Sequence, residues 1–310
     1  MDTHWVYVYP EDVKGCAMKD TEQNAQRLLN GSVRRSYDSA VDIDWDAPLE
    51  EGKYFLPPHL STLYETPLWH ELTPEQRIEL SRHELANLLS VGHWFENVLN
   101  QALLRMIFEA DPTARHTHYA LTEIGDECRH MLMFGRLMEK IDAPYFRQPK
   151  AQLAITRKLP GRLRGLNLWV GALIGEEIFD VWQRRIMDDP GMQPAVRRMM
   201  RIHVVEEARH IQWAREGVAR RMRYASWWEK ESLGRMIGFG GQFFNDQLMH
   251  RRLYARAGLN PDEAYRQAAA NPHFRKAKQE GFDKLRRFFE EQGIFRGKAR
   301  ERWRQAGFIA

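Results

Sequence analysis

Two short stretches of this chain repeat one another: Asp126-Glu127-Cys128-Arg129-His130 returns as Glu206-Glu207-Ala208-Arg209-His210. Each contains Glu-x-x-His, a spacing that sets carboxylate and imidazole on one helix face, about one turn apart. One such motif is common by chance. Two of them on long helical segments restrict the chain to folds that bring the two helices together. A further glutamate stands 31 residues before each, Glu96 before Glu127 and Glu176 before Glu207. Equal spacings give an antiparallel helix pair used twice, an internal structural duplication. Glu96 shares its face with Leu89, Gly92, Leu99 and Leu103, and Glu176 with Trp169, Ala172 and Leu173. An unpaired carboxylate is costly to bury on such a stripe, so a cationic group is expected beside each.

The surrounding pattern is helical from Thr73 almost to the end. Thr73-Pro74-Glu75-Gln76 reads as a capped helix start with proline at the first helical position. The spacing predicts helices over roughly 74–109, 112–140, 163–188 and 192–221, then 230–256, one opened by Asn260-Pro261, and two more at about 273–291 and 296–306. The first of these has a candidate break near Ser90-Val91-Gly92. Four segments this long exceed the usual average of about 11–12 residues and suit a four-helix bundle. Residues 1–72 lack a sustained helical period and read as an irregular arm whose Trp45, Tyr54, Phe55 and Leu56 bury against the body. The expected organisation is all-α. An arm over 1–72 precedes one helical domain over 73–310, with its bundle at about 74–221 and added helices at about 230–306.

A di-metal site in such a bundle takes one carboxylate from each of two helices and a Glu-x-x-His from each of the other two. Glu96, Glu127, His130, Glu176, Glu207 and His210 supply that set. Four carboxylates leave two divalent ions near net neutrality, and oxygen and imidazole donors suit iron, with manganese as the lesser choice. Adjacent Fe(II) ions can deliver two electrons to dioxygen, the co-substrate expected here. His203, one turn before Glu207, is a seventh candidate ligand; a core histidine bonded to a neighbour is the plain alternative. Asp126 and Glu206 precede the motif glutamates and can reach across to the opposite histidine, Asp126 to His210 and Glu206 to His130. Solvent-facing acids paired with Arg129 or Arg209 would be the ordinary reading of the same residues.

Composition narrows the rest. The 46 Lys and Arg face 42 Asp and Glu, a formal charge of +4, with no basic–aromatic platform of the kind nucleic-acid binders use. Cys16 and Cys128 are too few for a disulfide scaffold or a four-cysteine zinc site. No apolar run reaches the 18 or so residues of a membrane span, and the start shows no secretion pattern, so a cytoplasmic location is expected.

Taken together, these residues resemble the ferritin-like di-iron oxygenases, and within them the p-aminobenzoate N-oxygenase family. The likeness covers most of the chain. It runs through Asp42-Ile43-Asp44-Trp45, Tyr64-Glu65-Thr66-Pro67-Leu68-Trp69, Glu96, Glu127-x-x-His130, Glu176 and His203-x-x-x-Glu207-x-x-His210. The added histidine four residues before the second Glu-x-x-His is its most specific element. The resemblance implies that all seven side chains bind an iron pair. It also implies oxidation of an aryl amine, with an aminobenzoate-like compound among the candidates, to a hydroxylamine or nitro product with external electrons. The radical-generating subunit of ribonucleotide reductase typically has a tyrosine four residues after its first motif histidine; this chain has Phe134.

Leu99, Leu103, Trp169, Leu173, Phe179 and Met199 are candidates for a substrate pocket beside the metals, with plain bundle core as the alternative for each. If the substrate is an aromatic carboxylate, an arginine should meet it, and Arg251 or Arg252 is the candidate. The partners expected are a small aromatic amine, a separate reductase or redox carrier, and a second copy of the chain, with neither nucleic acid nor membrane. A di-iron hydroxylase or desaturase acting at carbon shares every ligand argument. A non-enzymatic iron-binding helical protein is the rival from another class.

Overall fold

The computed structural model describes the backbone of residues 11–310; residues 1–10 of the expected arm and the side chain of Cys16 lie outside the described residues. The described residues form thirteen α-helices and no extended sheet. The bundle consists of α3 (Pro74–Met106), α4 (Arg115–Lys140), α7 (Leu166–Asp188) and α8 (Pro194–Met222). α3 packs most closely on α4, and α7 on α8, as the repeated spacing requires. Short α5 (Lys150–Thr156) and α6 (Leu159–Arg162) lie in the crossover between the two pairs. The chain has the ferritin-like architecture with additional helices. No helix of the described residues is long and apolar enough to cross a membrane.

Local chemistry sets the helix ends. The Thr73 hydroxyl accepts from the Gln76 N–H at 3.3 Å while the Gln76 side chain accepts from the Thr73 N–H at 2.9 Å, a complete capping box. α3 then runs unbroken through Ser90-Val91-Gly92, where a break was expected. Gly92 is there for space: a Cβ would sit 2.9 Å from the Phe134 ring. Asp111 accepts from the Thr113 N–H and hydroxyl, and the turn it makes delays α4 to Arg115. The segment expected over 230–256 divides into α9 (Trp227–Leu248) and α10 (Arg251–Arg256), because the His250 ring accepts from the Arg252 N–H and starts a new helix. The Asn260 side chain caps α11 (Pro261–Ala270) as expected.

The arm is not irregular throughout. Glu11–Arg34 is a 24-residue helix, α1, packed on α4 and α8. Its composition favours helix, and among its residues with described side chains Ala25 and Leu28 are the buried apolar contacts. Glu22 gives it a second anchor by accepting from the Arg115 N–H at 2.7 Å, which caps α4 where Ala114 has no side chain to do so. Beyond α1 the arm winds over the body. Lys140 donates to the Trp45 carbonyl at 2.8 Å, Arg136 lies over the Trp45 ring, and Tyr54 pairs its backbone with Gly191 and Gln193 in the α7–α8 turn. A 3-10 turn at Pro58–Leu60 and α2 (Pro67–Glu71) lead into α3.

The remaining helices, α12 (Pro272–Glu291) and α13 (Gly297–Gln305), close the chain. Trp303 stacks on Phe282 with centroids 4.4 Å apart and packs so closely on Gly241 that a Cβ there would lie 2.8 Å away. Trp182 of α7 donates its indole N–H to the Ala277 carbonyl of α12 at 3.1 Å. α9 and α12 therefore cover the face of α7 that continues beyond Glu176.

Candidate metal centre

Each of the four bundle helices delivers a carboxylate to one level of the core: Glu96 from α3, Glu127 from α4, Glu176 from α7 and Glu207 from α8. His130 joins from α4, and His203 and His210 from α8. The ligand atoms fall into two groups, each within 4.8 Å: Glu96, His130, His203 and Glu207; and Glu127, Glu176, Glu207 and His210. All seven side chains are buried. His130 Nδ1 lies 3.2 Å from both Glu127 and Glu207, and His210 Nδ1 is 3.1 Å from Glu127 and 3.5 Å from Glu207. His203 presents Nε2 instead, 3.2 Å from Glu96 and 3.6 Å from Glu207. Glu207 thus turns one oxygen to each group.

The outward nitrogens of these rings are also held. His130 Nε2–H donates to Glu206 at 2.9 Å and His210 Nε2–H to Asp126 at 3.2 Å, the crossed pairing expected from the repeat. The same two acids meet the arginines. Arg129 and Arg209 both reach Asp126, and Arg129 lies 3.8 Å from Glu206. The two roles are compatible because a carboxylate has lone pairs for both donors. His203 Nδ1–H donates to Gln183 at 3.1 Å. Gln183 escaped the sequence reading, although it lies seven residues after Glu176 and hence two turns along the same face. Glu123 also escaped it. It is buried, four residues before Glu127, and so occupies the position in the first repeat that His203 occupies in the second.

The donor set fits cations. Glu96 Oε2, both Glu176 oxygens and Glu207 Oε2 are buried with no hydrogen-bond partner among the described residues. Leaving so many buried acceptors unmet is costly, and divalent ions among them would remove the penalty. Burial, followed by the nearest carboxylates, raises Glu96 and Glu176 well above the ordinary range. Burial opposes charge on His130 and His210 as well, but their carboxylate contacts prevail and raise both. For Glu207 burial likewise loses, here to His210 and His203, and its pKa falls. Burial, then His130, lowers His203 to about 4, so its ring is neutral at ordinary pH and its Nε2 lone pair is free to bind.

A cavity of about 60 Å³ adjoins this centre. Glu96, Glu176, His203 and Glu207 form its floor, and the rings of Phe95, Phe134, Phe179, Trp182 and Phe244 stand around it. Of the expected pocket residues, only Phe179 lines it. Leu99, Leu103, Trp169 and Leu173 are buried bundle core. The antiparallel arrangement explains this: the cavity lies along α3 before Glu96 and along α7 after Glu176, whereas those four occupy the opposite stretches. Met199 is core too, and its neighbour Met200, about 100° further round α8, faces the cavity. Arg251 and Arg252 lie outside it. Both are exposed on α10, and Arg251 pairs with Asp262 at 3.0 Å over the Tyr265 ring. Gly175 gives the cavity its shape, since a Cβ there would fall 1.8 Å from the Phe95 ring.

The family model described as p-aminobenzoate N-oxygenase AurF matches residues 18–293. The chain belongs to this family. Proteins of Mycobacterium tuberculosis and Mycobacterium bovis that carry no assigned function are 30% identical to it over 203 residues, 63% of this chain and 59% of their own length. The match therefore spans less than two thirds of those relatives. In a chain of this family, the two clusters form a donor set of the di-iron type.

Proposed function

We propose that this protein is a non-haem di-iron oxygenase that oxidises the nitrogen of an aryl amine to a hydroxylamine or nitro product. The observation that carries the reading is the pair of buried clusters, four carboxylates and three imidazoles on four helices, in a chain of this family. Glu96, Glu127, His130, Glu176, His203, Glu207 and His210 hold the metals in this reading. Two irons so held would supply dioxygen activation and two electrons for each oxygenation.

The chain's own residues do the remainder. Glu206, Asp126 and Gln183 fix the ring orientation of His130, His210 and His203 by accepting their outward N–H groups. The aromatic wall excludes water and places the amine beside Glu96 and Glu176. Electrons come from a separate reductase or carrier, and the protein acts as a cytoplasmic homodimer, the commonest symmetric assembly.

The test is iron content with Mössbauer spectroscopy on reduced protein, followed by mass spectrometry of products from a panel of aryl amines. About two irons per chain, as such a donor set requires, with hydroxylamine or nitro products, are expected. Ring or side-chain carbon hydroxylation with intact nitrogen would replace this reading with a carbon hydroxylase. Protein that takes up neither iron nor manganese would remove it.

A further inference from the structure

We propose that the amine accepted here is uncharged over its whole skeleton, a neutral hydrophobic arylamine, and that an aminobenzoate-type anion is excluded. The inference rests on the N-oxygenase reading and concerns the wall of the cavity above the metal centre. Among the described residues that wall contains no lysine or arginine. Leu88, Val91, Phe95, Phe179, Trp182 and Phe244 make its sides, and apart from the metal-facing groups its polar side chain is Gln183, already bonded to His203. The arginines following Gln183 on α7 are engaged elsewhere: Arg184 pairs with Asp180 at 2.9 Å and Arg185 with Glu280 at 2.8 Å.

A carboxylate brought into this space would lose its water without gaining a partner. Isolated ionised groups are strongly disfavoured in such surroundings. The metal centre offers no compensation, because four glutamates offset two divalent ions. Size acts in the same direction. At about 60 Å³ the cavity has less than half the ~150 Å³ of an apolar cavity known to take benzene. An arene fits only with a small shift of the wall, and an anion with its water shell needs more space still. The half-buried residues toward solvent, Leu88, Gly92 and Phe179, do not supply a charge either.

The test compares two ligands of one shape, 4-aminobenzoate and its methyl ester, by calorimetric titration into anaerobic iron-loaded protein at pH 7.5. The ester should bind at least about 100-fold more tightly than the acid, the factor expected when an unpaired carboxylate is desolvated. Leu88→Arg, which places a cation at the half-buried edge, should narrow that gap at least about tenfold, with folding checked by circular dichroism. Equal affinity of acid and ester in the native protein overturns the charge inference, even where both are oxidised at nitrogen and the N-oxygenase reading stands. If neither ligand binds and no amine in the panel is oxidised at nitrogen, both readings fall. Binding of the ester with oxidation only at carbon keeps the neutral pocket and removes the N-oxygenase.

Discussion

Glu206 offers a direct test of how the ligands are held. It is buried and accepts from His130 Nε2–H at 2.9 Å, on the side of the ring away from the other proposed ligands. Glu206→Gln can keep a hydrogen bond through its amide oxygen while removing the negative charge. Bonds to charged groups contribute roughly 1.5–3 kcal/mol and neutral ones about 0.5–1.5, so the loss is on the order of 1–1.5 kcal/mol, or about tenfold in metal affinity. Glu206→Leu removes the acceptor and strands a buried N–H, a cost of about 2–3 kcal/mol and up to ~100-fold. Arg129 is not stranded in either variant because Asp126 still pairs with it. The loss should also be local. His130 groups with Glu96 and His203, so one iron of the pair should loosen before the other. Anaerobic competition against an Fe(II) chelator gives the affinities, and Mössbauer spectra of partly depleted protein show whether one doublet fades first. Native-like retention in both variants would refute the orienting role of Glu206.

Metal uptake should release protons and strengthen as pH rises, since the metal-free centre keeps protons on Glu96 and Glu176, raised by burial, and on His130 and His210, raised by their carboxylate contacts despite burial; titration calorimetry in buffers of different ionisation heat checks it, and a pH-independent affinity would contradict it. Burial raises Glu84 from 4.5 to about 7, so its protonated form favours the fold and that contribution is lost as pH climbs from about 4.5 through 7, on the order of 3 kcal/mol. Glu84→Gln should flatten this part of the stability–pH curve in chemical denaturation, and an unchanged slope counts against it. Gly175→Ala should destabilise by about 1–3 kcal/mol through the Phe95 ring, and Gly175→Ala with Phe95→Leu should recover part of the loss in thermal unfolding.

How much of this was legible in sequence depended on the kind of signal. The ligand positions repeat at fixed offsets on long periodic helices, and spacing within a helix translates directly into a shared face. The crossed contacts of Asp126 and Glu206 followed from the same rule. α1 was missed because it is fixed partly by Glu22, a partner 93 residues from the backbone it caps, a contact that no local pattern shows. The cavity lies apart from most of the residues expected to line a pocket for a different reason. Periodicity identifies the inward face but not which end of that face, above or below the metal level, is left unfilled; α9 and α12 decide that by where they dock.

The duplication itself sharpens what the centre can do. Glu96 corresponds to Glu176, Glu127 to Glu207 and His130 to His210, and even the residues before the first pair, Phe95 and Gly175, meet as a large and a small partner. Among the candidate ligand positions the symmetry breaks four residues before the motif glutamates. Four residues before Glu207 the chain has His203, neutral because burial lowers it to about 4, and four residues before Glu127 it has Glu123, which burial raises to about 8. One half therefore gains an imidazole nitrogen while the other gains a buried acid that keeps its proton at neutral pH. Two metals bound by this scaffold cannot be equivalent: the one near Glu96 has two histidines within reach, and the one near Glu176 has one. The cavity opens over Glu96, His203, Glu176 and Glu207, so under the proposed function a substrate would approach from the side of the extra histidine. The histidine that breaks the repeat thus stands where the apolar wall and the candidate metal centre join.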